Sequence, residues 1–533
     1  MVHGAMSFDL RRLVPPSVPE SEIGEELDAD VVVVGAGISG LMAAYGAAER
    51  GARVRVVERH TRYNLRGAQL NPGPGARLFE EAGIEVDYEE AVREELELAG
   101  YRPDPRLWRL WLENSRAAVD RLLEVAARHG VRPYLLAWRT NPEDPYGKYP
   151  RPTYKFNPEA PEGMFDRLGP ALEDELRRMG VEFHYRTRAL RLVRYDGRIS
   201  GVIAVREGED GGSHVRFRAR RGVVLCTGDY SSNVELMRLW APPEAARMAE
   251  DPYGVIYRLI TPTNTGDGHL MALWEGADVD ESPHVPLYTL APEGRNPGRA
   301  RELYWRPDGP SKTLGLHSNP FLFVNEEGAR FTNEALPYSW LVNRVVQQPN
   351  FRYWVVFDSR WEEDVARHGD GLGRRLSPNV VENYREVGRR FLETAMEDGA
   401  AVKADTLEEL ASGMGVPRDR FLGTVRRYNE LVARGVDEDF GKPSAYLSPI
   451  RDPPFYAVRG RAVILVMLSG LKVDTRLRVL DRSGNPIPGL YAAGNASGGF
   501  FALYYSMHTL PGISHGRAVT FGYLAGRNAA EGA

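Results

Sequence analysis

Three glycines, Gly35, Gly37 and Gly40, follow the β-branched run Val31-Val32-Val33-Val34, and Glu58 closes the next such run, Val54 to Val57. In a turn of this spacing the first glycine allows a sharp bend and the second lets backbone approach a phosphate. The third lets a helix pack closely on a strand. The segment that follows carries Leu41, Ala44, Tyr45 and Ala48 on one side and reads as a helix ended by Gly51. Its first amide hydrogens, around Ser39, face a pyrophosphate. Glu58, eighteen residues past Gly40, is placed to accept both hydroxyls of a ribose, and its charge opposes a 2′-phosphate. These residues are expected to bind a dinucleotide. By themselves they do not separate nicotinamide from flavin.

The elements that position them are spread over the whole chain. Residues 106–130 and 162–180 read as amphipathic helices, and strand signals cluster from Val181 to Val224, with Asp196-Gly197 marking a hairpin. From about residue 281 proline and aromatic residues become dense, and mixed helix and strand signals run to about residue 448. The stretch from Val479 to Asn528 returns to a strand–glycine–helix texture. The expected fold is α/β: a Rossmann-type nucleotide-binding domain, glutathione-reductase-like, with an inserted α+β cap. The first part spans 1–280, including an N-terminal arm 1–27; the cap spans 281–448; the second part spans 449–533.

Later segments carry a more specific likeness. Gly222 to Asp229, with Thr227 and Gly228, resembles the second contact strand of two-dinucleotide-binding flavoproteins, and Gly489 to Ser497, with Gly494 and Asn495, resembles their late flavin-binding signature. Thr263-Asn264-Thr265-Gly266-Asp267-Gly268-His269, Phe323 to Glu334 and Val519 to Ala525 complete the pattern. Over nearly its whole length the chain resembles the fumarate reductase and succinate dehydrogenase flavoprotein family, and within it the 3-ketosteroid dehydrogenase branch. The resemblance implies FAD, held by the residues above together with Arg59, Gly67, Ala68, Gln69 and Asp267, with the substrate between flavin and cap. Asn64 stands near the place where succinate dehydrogenases carry a flavin-linked histidine, which implies non-covalent FAD.

Family members exchange hydride between flavin N5 and a carbon near an activated carbonyl, with a proton moving at the neighbouring carbon. Tyr338, Val466 and Thr509 stand where fumarate reductases place the arginine, histidine and arginine that serve a dicarboxylate, so fumarate is not the expected substrate. Tyr338 instead matches the tyrosine that 3-ketosteroid dehydrogenases carry after Asn-Glu-x-x-Pro, where it takes a proton. Gly512 matches their carbonyl-polarising glycine, and His508 occupies the place of their tyrosine. Tyr504 and Tyr505 lie close enough in sequence to share that role, and Arg66 is a candidate substrate contact. The implied reaction is desaturation of a 3-ketosteroid-like or other cyclic ketone, its oxygen held by His508 and the Gly512 amide while Tyr338 removes the proton. An ene-reductase acting on an enone or unsaturated carboxylate, and a flavin-binding protein without turnover, stand as alternatives.

Composition closes off other classes. The 533 residues carry 68 basic and 73 acidic side chains, a net charge of -5, and no basic block, which argues against a nucleic-acid partner. A single cysteine, Cys226, leaves no disulfide framework, iron–sulfur cluster or thiolate metal site. The longest apolar run, Ala462 to Leu471, is short of the ~20 residues that cross a bilayer. The expectation is a cytoplasmic oxidoreductase with no metal, a small ketone or enone as substrate, and an external electron acceptor or donor.

Overall fold

A computed structural model of the chain describes residues 14–66, 69–136, 153–156, 167–208, 212–256, 258, 263–295, 315–369, 382–502, 504–505 and 509–532. Strand β1 (Ile23–Val34) lies parallel to β2 (Val54–Val57) on one side, Val31 beside Val54, and parallel to Ser213–Leu225 on the other. Val31, Val32 and Val33 are fully buried, which is why the run shows no polar alternation. The sheet extends outward through Glu182–His184 on the β2 side and through Pro486–Ala492 and Arg478–Leu480 on the other. Both ends of the chain therefore enter one sheet. It takes up part of the expected arm as well, since β1 already pairs with His214 at Ile23.

Helix α1 (Ile38–Glu49) is apolar on almost every side because the C-terminal helix Ile513–Glu531 covers it. The two backbones touch at glycines. A Cβ on Gly46 would sit 2.2 Å from the Tyr523 carbonyl oxygen, one on Gly522 2.3 Å from that of Ser39, and one on Gly526 1.9 Å from that of Ala43.

The cap is built on a five-stranded antiparallel sheet in the order Pro286–Pro292, Phe455–Met467, Arg352–Phe357, Leu322–Val324, with Ala401–Ala404 also paired to Phe455–Met467. The central strand of this sheet comes from after residue 448, so the cap's sheet continues past the stretch where sequence texture changes. It also contains the apolar residues Ala462 to Met467; among the described residues no helix is long and apolar enough to cross a membrane. One face of the sheet packs an aromatic core that includes Phe321, Phe323, Tyr338, Tyr353 and Phe357 and draws in Tyr230, Met237 and Trp240. The other face is covered by the helices Leu407–Met414 and Arg418–Arg434.

A buried charge cluster ties the cap together. Arg330 lies 2.9 Å from Glu334 and 2.7 Å from Asp437, and Lys442 lies 3.3 Å from Glu334 and donates to the Tyr428 hydroxyl at 2.9 Å. Glu334 also accepts the Phe323 amide at 3.1 Å, so the pair that opens and closes the Arg-Phe-Thr-Asn-Glu segment is anchored to the sheet. Burial lowers the Lys442 amine to about 8, and the two cations hold the Glu334 carboxyl below its usual range against its own desolvation.

Three substitutions test this packing. Glu334→Gln leaves two buried cations facing one carboxylate and should cost about 3–5 kcal/mol in denaturant unfolding. Gly526→Ala should cost roughly 1–3 kcal/mol by overpacking. Gly423→Ala on the helix Arg418–Arg434, where a Cβ meets nothing within 4 Å, should instead stabilise by up to about 1 kcal/mol.

Candidate active site

The strands β1, β2 and Ser213–Leu225 end along one edge, and a cleft opens there, lined by Val34, Val57 and Cys226 at the three strand ends. Gly35, at φ +101, has no room for a side chain, since a Cβ would lie 2.4 Å from the Cys226 carbonyl oxygen. A Cβ on Gly40 would lie 1.9 Å from the Gly35 carbonyl oxygen, which fixes the helix against the strand. Gly37 differs. A Cβ there meets only Asn64 O at 3.7 Å, and the residue lines the cleft. The protein itself does not require that glycine; a group lying in the cleft does.

Glu58 stands at the end of β2, 6% exposed, with Oε2 accepting the Ala36 amide at 2.7 Å and Oε1 the His60 amide at 2.9 Å. Each oxygen keeps a lone pair for a ribose hydroxyl. The Thr227 hydroxyl, also in the cleft lining, is buried without a hydrogen-bond partner among the described residues, a donor placed for a ligand. Gly228, at φ +76, approaches Asn264, and Arg59 donates to the Thr265 hydroxyl at 2.9 Å. Asp267 opens the helix Asp267–Trp274 and is gripped by Arg188 at 3.1 Å and Arg59 at 3.8 Å. Burial pushes the Cys226 thiol up to about 12, so it lines the cleft as an inert group beside the Ser39 hydroxyl.

Two helix N-termini open on the cleft, at Gly37–Ser39 of α1 and at Ser514–His515 of the C-terminal helix, and both favour negative charge. Gly494, at φ +66, would place a Cβ 2.9 Å from that of Ser39, and Asn495 beside it lines the cleft. Asn64 and Arg66 form the opposite rim, with Arg66 donating to Asn264 Oδ1 at 2.7 Å. His515 Nε2 donates to the Arg66 carbonyl at 2.5 Å, and Gly512 O accepts the Asn71 amide at 3.0 Å, so the C-terminal turn clamps the segment on either side of the strand Gln69–Leu70. The glycine-rich turn, Glu58, the orphan Thr227 hydroxyl and these N-termini fit an FAD molecule. Glu58 would hold its adenosine, the N-terminus of α1 its pyrophosphate, and residues 494–495 and 514–518 its flavin.

Gly512 is left-handed at φ +79, and a Cβ would lie 2.7 Å from the Asn71 nitrogen. Its amide, with that of Ser514, faces the phenol of Tyr505, which burial drives upward in pKa. Tyr504 follows on the same turn, its amide bonded to Phe501 O at 3.3 Å. Tyr338 begins the cap helix Tyr338–Val346 and is 4% exposed; it belongs to the aromatic core of the cap and is not among the residues lining the cleft. Gly67, Ala68 and His508 lie outside the described residues. Sequence reasoning did not select His60, Arg188, Asn264 and Ser514 as ligands of the cleft. Asn264 carried a signal, since it sits in a glycine-flanked loop at φ +60; Arg188 comes from a hairpin with none.

Residues 30–509 match the FAD binding domain family. Over 518 residues, 94% of this chain and 96% of the other, the chain is 28% identical to the vinyl phenol reductase of Lactiplantibacillus plantarum. It is 31% identical over 396 residues to the 3-oxosteroid 1-dehydrogenase of Mycolicibacterium smegmatis, a match that spans 68% of this chain and 62% of that enzyme. The 3-ketosteroid Δ1-dehydrogenase structure from Sterolibacterium denitrificans shares the fold at a TM-score of 0.69 and 20% identity, covering 95% of this chain and 99% of that one. A nucleotide cleft of this geometry inside that match places the chain in the FAD binding domain family, among the FAD-dependent oxidoreductases that act on carbon–carbon double bonds.

Proposed function

We propose that the enzyme reduces a carbon–carbon double bond conjugated to a phenol or a carbonyl in a small uncharged substrate, with Tyr338 supplying the proton. Bound FAD supplies the hydride, and an external two-electron donor restores it. The observation that carries this reading is the setting of the Tyr338 hydroxyl. Its oxygen accepts the Leu290 amide at 2.9 Å and lies 2.8 Å from the Thr289 hydroxyl. An amide can only donate, and the threonine hydroxyl can turn to donate as well. The negative charge left on the phenol once its proton has gone to carbon is met by two donors and by the N-terminus of the helix Tyr338–Val346.

Two further observations favour a neutral substrate and the reductive direction. Val466 and Thr509, at the places where fumarate reductases hold cations, are uncharged side chains, so neither offers a charge to a dicarboxylate. The vinyl phenol reductase matches this chain nearly end to end, whereas the 3-oxosteroid dehydrogenase does so over about two-thirds of each chain. The second reading is desaturation of a 3-ketosteroid, favoured by the place of Tyr338 after Asn333-Glu334-Ala335-Leu336-Pro337. It uses the same residues in reverse, with Tyr338 taking the proton.

Anaerobic mixing separates the two. Dithionite-reduced enzyme should regain its oxidised flavin band on addition of 4-vinylphenol or cyclohex-2-enone, while oxidised enzyme should stay yellow with a saturated 3-ketosteroid. Bleaching by the steroid alone would establish the second reading, and no response to any of the three would overturn both. Tyr338→Phe should slow reoxidation by the alkene about 10²- to 10⁴-fold at unchanged flavin content. Thr289→Val should slow it about 10- to 100-fold, and Thr289→Ser should restore most of the rate.

A further inference from the structure

Arg517 is a fully buried arginine in the second turn of the C-terminal helix, and it forms no ion pair among the described residues. Its Nη1 donates to the Ser497 carbonyl at 3.2 Å and its Nη2 to Asn495 Oδ1 at 3.0 Å, while Nε is buried without a partner among the described residues. The rings of Phe500 and Phe501 lie 5.6 and 4.9 Å from the guanidinium carbon. Burial lowers the group to about 10, which leaves it charged at neutral pH. The acid that acts on it is Asp280, which forms no ion pair with it among the described residues and whose Oδ2 accepts the Gly470 and Gly499 amides. A buried cation without an adjacent counter-ion is costly, and its usual compensation is a negative charge formed nearby.

The geometry places such a charge in the cleft. Asn495, Ser514 and Ala518 line the cleft, and Arg517, one residue before Ala518 on that helix, is joined to the cleft wall through Asn495. A guanidinium has donors only, so the atom of Asn495 that it holds is the amide oxygen, and the Asn495 Nδ2 hydrogens are left to face the cleft. Glu58 and the turn over α1 take the adenosine and pyrophosphate, so what passes Asn495 is the flavin end of the cofactor.

We propose that Arg517 is a positioning residue for the flavin: it locks Asn495 as a hydrogen-bond donor to the cofactor and supplies the buried positive charge that favours the cofactor's reduced, anionic form. The midpoint potential of the bound flavin is thereby raised. This inference stands on the FAD site and is independent of which alkene is reduced.

The test uses the holoenzyme with Arg517→Met, Arg517→Lys and Asn495→Asp, the last placing a carboxylate against the guanidinium to cancel its charge. The readouts are the midpoint potential against a reference dye and the affinity of the oxidised flavin for sulfite, whose adduct is stabilised by nearby positive charge. Arg517→Met and Asn495→Asp should lower the potential and weaken sulfite binding on the order of tenfold or more. Arg517→Lys should keep most of both. If Arg517→Met does not retain FAD, Asn495→Asp and Arg517→Lys decide the question by the same readouts. Potentials and sulfite affinities within error of the unmodified enzyme in flavin-loaded variants would overturn the proposal and leave Arg517 as a clamp on the loop 494–500.

Discussion

The structure depends on the contact between α1 and the C-terminal helix Ile513–Glu531, where peptide groups approach without side chains between them. At Gly46, Gly522 and Gly526 even one methyl group would collide with a carbonyl oxygen of the partner helix. That closeness sets two helix N-termini side by side on the edge of the sheet, one from each end of the chain, and so creates a cleft with two electropositive ends. Asn495, Ser514 and His515 reach the same space as Gly37 and Glu58 only because the helices are this close. A chain that met its own terminus less tightly would have a phosphate site and no place for the rest of the cofactor.

The cap answers a different requirement. It buries the Tyr338 phenol among hydrogen-bond partners, with a rigid frame behind it. Tyr338 is bonded to the strand Pro286–Pro292 through Leu290 and Thr289, and four residues earlier Glu334 is fixed by Arg330 and Lys442. Arg330 and Glu334 lie in the segment that leads into the tyrosine's helix, and Lys442 reaches them from beyond the helix Arg418–Arg434. Their electrostatics support position rather than net stability, because charges that leave water regain little more than they lose.

Charge in the nucleotide cleft is managed by pairing at one end and by its omission at the other. Asp267 pairs with both Arg59 and Arg188 beside the region that would take the adenosine, whereas Arg517 stands behind Asn495 without an ion-paired carboxylate among the described residues. Pairing at the first place holds the wall together and leaves recognition to Glu58. Its lack at the second leaves an electric field directed into the cleft, which a cofactor that gains negative charge on reduction would feel.

Local sequence determined the nucleotide half of this protein. A strand buried on both faces must read as an unbroken β-branched run, a phosphate turn must carry glycine where carbonyls crowd it, and Glu58 must follow the second strand; each constraint acts within a few residues, so Gly35, Gly37, Gly40 and Glu58 were legible. The fold class followed from the same signals at the two chain ends. What only the tertiary structure decided depends on partners far apart in sequence: that Phe455–Met467 belongs to the cap sheet, that Arg188 reaches Asp267 from a hairpin, that His515 clamps the Arg66 carbonyl, and that Thr289 and Leu290 meet the Tyr338 hydroxyl. Strand pairing and side-chain hydrogen bonds across the fold leave no periodicity behind them. A tyrosine in a motif can be recognised from its neighbours, but the donors that surround its oxygen exist only once the chain has brought them there.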